Sequence, residues 1–150
     1  MKKKYINIYN NLVHLSRNKN LYLEFTSNDE FSDRLFILLL HFAFLLKNIK
    51  ENENNHDAQI IHDIFFKQLE LNLRENGHGD VSVNKNMKIY ISNFFNILNQ
   101  VVTWEKLNNI QKESIISNSL CVKSKVTKLV DYFERYSYYI KKTSLNLFLK

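Results

Sequence analysis

Apolar residues recur three and four apart along most of the chain, the spacing of a single helix face. Ile6, Tyr9, Val13 and Ser16 predict a first amphipathic helix from Lys3 to about Arg17, ended by Asn18-Lys19-Asn20. Asn28-Asp29-Glu30 and Ser32 supply capping chemistry ahead of Leu35 to Lys50, which reads as a long central helix. Its apolar run, Leu35 to Leu46, contains His41 and falls short of the ~20 residues that span a bilayer, so a buried helix is expected. Lys50 to Asn55 is polar and without period, and predicts a loop. From Asp57 to Glu75, Ile61, Ile64, Phe65, Leu69 and Leu73 share one face, while Asp63, Lys67, Glu70 and Arg74 share the other as two i,i+4 pairs. Met87, Ile91, Phe94, Phe95, Leu98 and Val102 predict an inward stripe on a following helix, with Lys85, Lys88, Ser92, Asn96 and Asn99 outward. A short helix over 105–119, with Ile110, Ile115 and Ile116 inward, precedes a last long one marked by Val122, Val126, Leu129, Val130, Phe133 and Ile140. The outer face of that last helix carries Lys128, Arg135 and Lys142, interleaved with Tyr132, Tyr136, Tyr138 and Tyr139. The chain therefore reads as all-α, a single compact domain of five to seven helices.

Both glycines, Gly77 and Gly79, fall in one break between two of these helices, and there is no proline. Gly77 stands where a helix end turns left-handed, a conformation strained by any Cβ. Gly79 lets the chain turn again, and Asp80 or Ser82 is placed to cap the next helix by accepting from an orphaned backbone N–H. Residues 76–82 are thus expected to form a turn between antiparallel helices, with Gly77 at positive φ.

The run Leu73-Arg74-Glu75-x-Gly77-x-Gly79-Asp80-x-Ser82-Val83-x-Lys85, followed by Met87 and Lys88, resembles the signature of the ubiquinol-cytochrome c chaperone family. Ser32-Asp33-Arg34-Leu35 through Leu40-His41 resembles a second motif of that family, an Arg followed seven residues later by a His in an apolar helix. Tyr9, Val13, Ser16-Arg17 and Leu21-Tyr22 follow the order seen where the family domain begins, and Asn118 stands where it often has Asn. The resemblance runs from about Tyr9 to Tyr132 and is densest from Asp63 to Lys88. It implies an assembly chaperone for respiratory complex III, without enzymatic activity or cofactor, that binds newly made cytochrome b or other complex III assembly components. It also implies that Arg34, His41, Arg74, Glu75, Gly77, Gly79, Asp80 and Lys85 form the client surface or the network behind it. The chain departs from the family pattern twice. Phe36 stands where an acidic residue usually follows the Arg, and Phe95-Asn96-Ile97 stands where an aromatic-Gly-Arg triplet is common.

Seven residues make two helical turns, so Arg34 and His41 are expected on one face. A cation near a helix N-terminus opposes the macrodipole, which calls for a carboxylate partner. Arg34 is therefore expected against Glu75 or Asp80, bracing the glycine turn and leaving Arg74 outward for the client.

Composition narrows the rest. At 150 residues, 45% hydrophobic and 24% charged, the chain fits one globular domain with a core of its own. The single cysteine, Cys121, allows no internal disulfide and no cysteine metal motif, and points to a reducing compartment. After Met1-Lys2-Lys3-Lys4, the residues Asn7, Asn10, Asn11 and His14 interrupt any apolar h-region, so no signal peptide is expected. Nor is there a long Arg-rich leader, which favours a bacterial cytoplasmic protein, peripheral at the inner face of the membrane. Residues 1–50, 51–100 and 101–150 carry nets of +4, −3 and +5. Basic ends around an acidic middle suit an anionic surface, with Lys123, Lys125 and Lys128 as the basic patch. A nucleic-acid-binding module would use the same lysines and tyrosines. A metal phosphohydrolase is the remaining alternative, because His41, His62-Asp63 and Asp131 follow a His, His-Asp, Asp order. A second His-Asp at His56-Asp57 shows how easily that dipeptide arises, and no catalytic or metal-ligating residue is assigned. Gly77-His78-Gly79-Asp80 follows a helix and lacks the Lys-Ser/Thr end of a phosphate loop, so turn geometry accounts for its glycines.

Overall fold

Leu35 to Leu46 is apolar at every position except His41, and a helix apolar on all sides is stable only when covered on all sides. A computed structural model, which describes residues 3–17, 31–52, 55–118 and 126–142, places this segment at the centre. The described residues form six α-helices: α1 (Lys3–Ser16), α2 (Phe31–Asn52), α3 (Asn55–Glu75), α4 (Asp80–Val102), α5 (Asn109–Ser117) and α6 (Val126–Lys142). A 3-10 turn, Trp104–Lys106, lies between α4 and α5, and no strand occurs among the described residues. α1, α3, α4 and α6 pack around α2, and α5 packs on α6.

Aromatic contacts hold this centre. Phe42 of α2 stacks on Phe65 of α3 at 3.9 Å and on Phe94 of α4 at 5.0 Å. Phe44 stacks on Phe133 of α6 at 5.6 Å and meets the buried Trp104 edge-on at 5.1 Å. Such pairs add ~0.5 to 1.5 kcal/mol each beyond the area they bury. The buried Lys47 of α2 gives its ammonium to Glu105 at 3.0 Å, and Glu105 also takes Lys141. Those bonds to Lys141 and Lys47 hold the Glu105 carboxyl below the ordinary range. One exposed carboxylate thus ties the 3-10 turn to α2 and to the end of α6.

Several boundaries and faces differ from expectation. α2 begins at Phe31 and runs to Asn52, and α3 begins at Asn55, so residues 50–52 and 55 of the expected loop are helical, and residues 53–54 lie outside the described residues. Asn and Glu are tolerated at exposed helix ends, which is why polarity alone misled there. On α4 the buried positions are Val83, Met87, Phe94, Ile97, Leu98 and Val101, whereas Phe95 and Val102 are exposed. On α5, Ile115 and Ile116 are buried but Ile110 faces outward, beside the capping box that Asn108 and Gln111 form. Tyr136 is buried rather than on the outer face of α6. Lys67 pairs with Glu70 at 3.6 Å and not with Asp63, whose carboxylate takes Gln59 and His62. No helix among the described residues is long and apolar enough to cross a membrane. Cys121, Lys123 and Lys125 lie outside the described residues.

Candidate functional site

The turn after α3 is built by its backbone. Gly77 has φ +89°, as its position required. Its N–H donates to the carbonyl of Arg74 at 3.2 Å, and the N–H of His78 donates to that of Leu73 at 3.2 Å. These two bonds close a helix on a left-handed residue and satisfy carbonyls that would otherwise be orphaned. The turn is shorter than expected, because α4 begins at Asp80. Gly79 is the extended N-cap residue, with φ −69° and ψ 151° and no side-chain cap. Asp80 and Ser82 therefore do not cap. Both lie in the first turn of α4, where a carboxylate is favoured by the helix dipole in any case.

Arg74 has the role expected of Arg34. Its guanidinium pairs with Asp80, takes Glu70 at 3.2 Å and donates to Asn84 Oδ1 at 2.8 Å, spanning the break from α3 to α4. An arginine in the last turn of one helix is next to the first turn of an antiparallel successor, so no residue from α2 is needed. Arg34 instead sets its guanidinium carbon 5.9 Å over the Phe31 ring, and no ion pair joins it to Glu75 or Asp80 among the described residues. Arg74 is thus tied down rather than outward, while Glu75 and Lys85 are exposed.

His41 is fully buried and lies between α2 and α6. Its Nδ1 is 2.7 Å from the Ile37 carbonyl, which can only accept, so Nδ1 carries the proton. Nε2 then accepts from the Tyr132 hydroxyl at 2.6 Å. Tyr136 donates to the carbonyl of His41 itself at 3.1 Å, and the rings of Tyr132, Phe133 and Tyr136 enclose the imidazole edge-on. Burial pushes the histidine down to about 4, countered only by the Ile37 bond, pushes Tyr132 up to about 12, and also raises Tyr136 well above the ordinary tyrosine value. All three stay neutral near pH 7. His41 is thus a satisfied core residue whose side-chain partners include Tyr132 on α6, while Arg34 borders a small pocket shared with α1 and α3.

A groove of about 410 Å³ lies between α2 and α4. Leu35, Phe36 and Leu39 form its apolar wall, and Asn93, Asn96 and Gln100 of α4, with Asn118, form the opposite one. Both departures from the family pattern meet here, since Phe36, Asn96 and Ile97 all line it. The sequence reading placed Asn96 outward but did not connect it with Asn93 and Gln100. Their spacing of three and four residues on one helix was the available signal.

Of the remaining residues, Lys128 is exposed on α6. His41, His62 and Asp131 form no metal constellation, for no three His, Cys, Asp or Glu side chains gather suitably among the described residues. His62 stacks on Phe95 at 5.4 Å, with Nδ1 3.1 Å from Asp63.

These features define an all-helical protein whose polar clusters join helix to helix around an open groove. The model of the ubiquinol-cytochrome C chaperone family matches residues 23–150, and the chain belongs to that family. The match takes in the Arg34–His41 motif and the glycine turn, whereas the expected correspondence from Tyr9 to Tyr22 lies before it. No curated protein and no solved structure gives a significant match.

Proposed function

We propose that this protein is an assembly chaperone of respiratory complex III that holds newly made cytochrome b. The match to the chaperone family over residues 23–150 carries this reading. A chaperone for an apolar membrane subunit needs a contact surface and proximity to the bilayer, not a reacting group. The outer face of α6 supports the second requirement. Lys128, Arg135 and Lys142 are exposed there with Tyr138 and Tyr139, and the Lys142 ammonium lies 4.3 Å over the Tyr138 ring. Cations beside amphipathic rings suit anionic lipid headgroups, so the protein works at the inner face of the cytoplasmic membrane.

Affinity purification from cells assembling complex III tests the client. Cytochrome b is expected to co-purify, and recovery of RNA alone would replace the reading with a nucleic-acid-binding one. Replacing Lys128, Arg135 and Lys142 by Ala together is expected to weaken binding to phosphatidylglycerol vesicles in a salt-sensitive way. Equal binding to neutral and anionic vesicles would remove the membrane part.

A further inference from the structure

Three contacts set the register of the chain from the 3-10 turn to α5 against α6. Glu105 takes Lys141, Lys112 gives its ammonium to Glu134, and Thr127 donates to Glu113 at 3.2 Å. As this segment ascends in sequence its partners descend along α6, so the two run antiparallel. Thr127, Glu134 and Lys141 are spaced by two helical turns and form one row. Tyr138 is on the same row between Glu134 and Lys141, which sets it level with the stretch from Glu105 to Lys112 that contains Ile110. Ile110 is 76% exposed and Tyr138 62%. A single exposed apolar side chain needs no explanation. Here an aliphatic side chain and a tyrosine share one edge of the molecule with the exposed Lys106, Lys141 and Lys142, and the Lys142 ammonium lies over the Tyr138 ring. The carboxylates of this edge are engaged, Glu105 with Lys47 and Lys141, and Glu134 with Lys112.

We propose that this edge enters the headgroup layer of an anionic bilayer, with Ile110 and Tyr138 inserted and Lys106, Lys141 and Lys142 around them. This rests on the reading that the protein works at a membrane, and states which part of its surface goes in. Ile110 reaches the acyl boundary and Tyr138 sits at headgroup depth with its hydroxyl toward water. The lysines keep their ammonium groups among the phosphates while their stems cover apolar surface. A nucleic acid would use the lysines and the aromatic ring but has no place for an aliphatic side chain. A protein partner would favour an edge poorer in lysine, a residue in which protein interfaces are depleted.

The test uses the full chain in a Cys121→Ser background, with Ile110→Cys carrying an environment-sensitive nitrobenzoxadiazole label, and phosphatidylglycerol vesicles. Emission from the label is expected to rise and shift to the blue on adding vesicles, and to be quenched by doxyl-labelled lipid. The comparison position is Val81, which is 84% exposed at the start of α4 and about 30 Å along that helix from Val102, where the chain leads into the 3-10 turn. A label at Val81→Cys is expected to stay silent. The Ile110→Ser/Tyr138→Ser double variant is expected to bind vesicles about tenfold more weakly, the equivalent of roughly one apolar side chain no longer buried. Its salt dependence should be kept, because no charge is removed. Both residues are exposed, so the fold should tolerate the changes, and circular dichroism checks that it does. Equal responses at Ile110 and Val81 overturn the proposal, as does a double variant that binds like wild type, or a response of the Ile110 label to polyuridylate as large as that to vesicles. If the protein sediments with anionic vesicles in a salt-sensitive way while the Ile110 label stays silent, the insertion proposal fails and the membrane reading stands. If it sediments with no vesicles, the membrane reading fails and the proposal falls with it.

Discussion

The break at residues 76–79 and the site around His41 are both polar, but opposite in their relation to water. Arg74 is 29% exposed and its partner Asp80 86%, so their attraction is screened and contributes ~0.2 to 1 kcal/mol. His41 is 0% exposed with both ring nitrogens partnered, and loss of a partner in such a place costs ~1 to 3 kcal/mol. The first site is decided by backbone geometry, with the ion pairs following. In the second, the hydrogen bonds join α6 to α2. Polar residues near a turn thus say little about stability, whereas a buried imidazole with both nitrogens partnered contributes to it.

The largest effect that sharpens this contrast is at acid pH. Above pH 6.5 His41 is neutral in both folded and unfolded chains, so stability does not vary on its account. Between pH 6.5 and about 4 the unfolded chain takes up a proton that the buried imidazole refuses, and stability should fall by roughly 3 kcal/mol. Glu105, with its carboxyl depressed by Lys141 and Lys47, adds a loss at lower pH, as pH falls through its folded pKa. Urea unfolding at pH 7 and pH 5 checks this, with His41→Phe as the control that should flatten the upper part. A slope unchanged in that variant would contradict the assignment. At neutral pH, His41→Ala should cost about 2 to 3 kcal/mol, from the cavity and the lost hydrogen bonds of the imidazole.

Effects at the turn should be smaller. Gly77→Val is expected to cost over ~1 kcal/mol through backbone strain alone, because no atom lies within 4 Å of where its Cβ would stand. Gly77→Asn should cost less, since Asn adopts the left-handed conformation more readily. Arg74→Ala should cost under ~1 kcal/mol, with the difference shrinking as salt is added. A larger loss insensitive to salt would make the turn energetically like the His41 site and break the comparison.

The legibility of the sequence follows the same division. Gly77 was readable because a single residue's φ is local, and the apolar face of α3 because its period repeats over many turns. Placing Arg34 against the turn failed, because its surroundings depend on how α1, α2 and α3 pack, which a spacing of seven residues does not encode. Tyr132 and Tyr136 could not be connected with His41 for the same reason, being 91 and 95 residues away. Phe95 was drawn into the wrong stripe by its hydrophobicity. It is exposed at 47% and serves as a platform for His62, a role that periodicity cannot distinguish from core packing. The family was legible because its motif is a string of specific residues, whereas the groove arises only when α2 and α4 are side by side.

The positive φ of Gly77, in open space, has a stereochemical consequence. Glycine is achiral, so the turn has so far been spared a choice of hand. A methyl group added as D-alanine would prefer this backbone region, while removing freedom from the unfolded chain. Introduced by peptide ligation, D-Ala should stabilise the protein by ~0.4 to 1 kcal/mol, whereas L-Ala at the same position should destabilise it. One group of identical size and polarity would thus act with opposite sign in its two mirror forms.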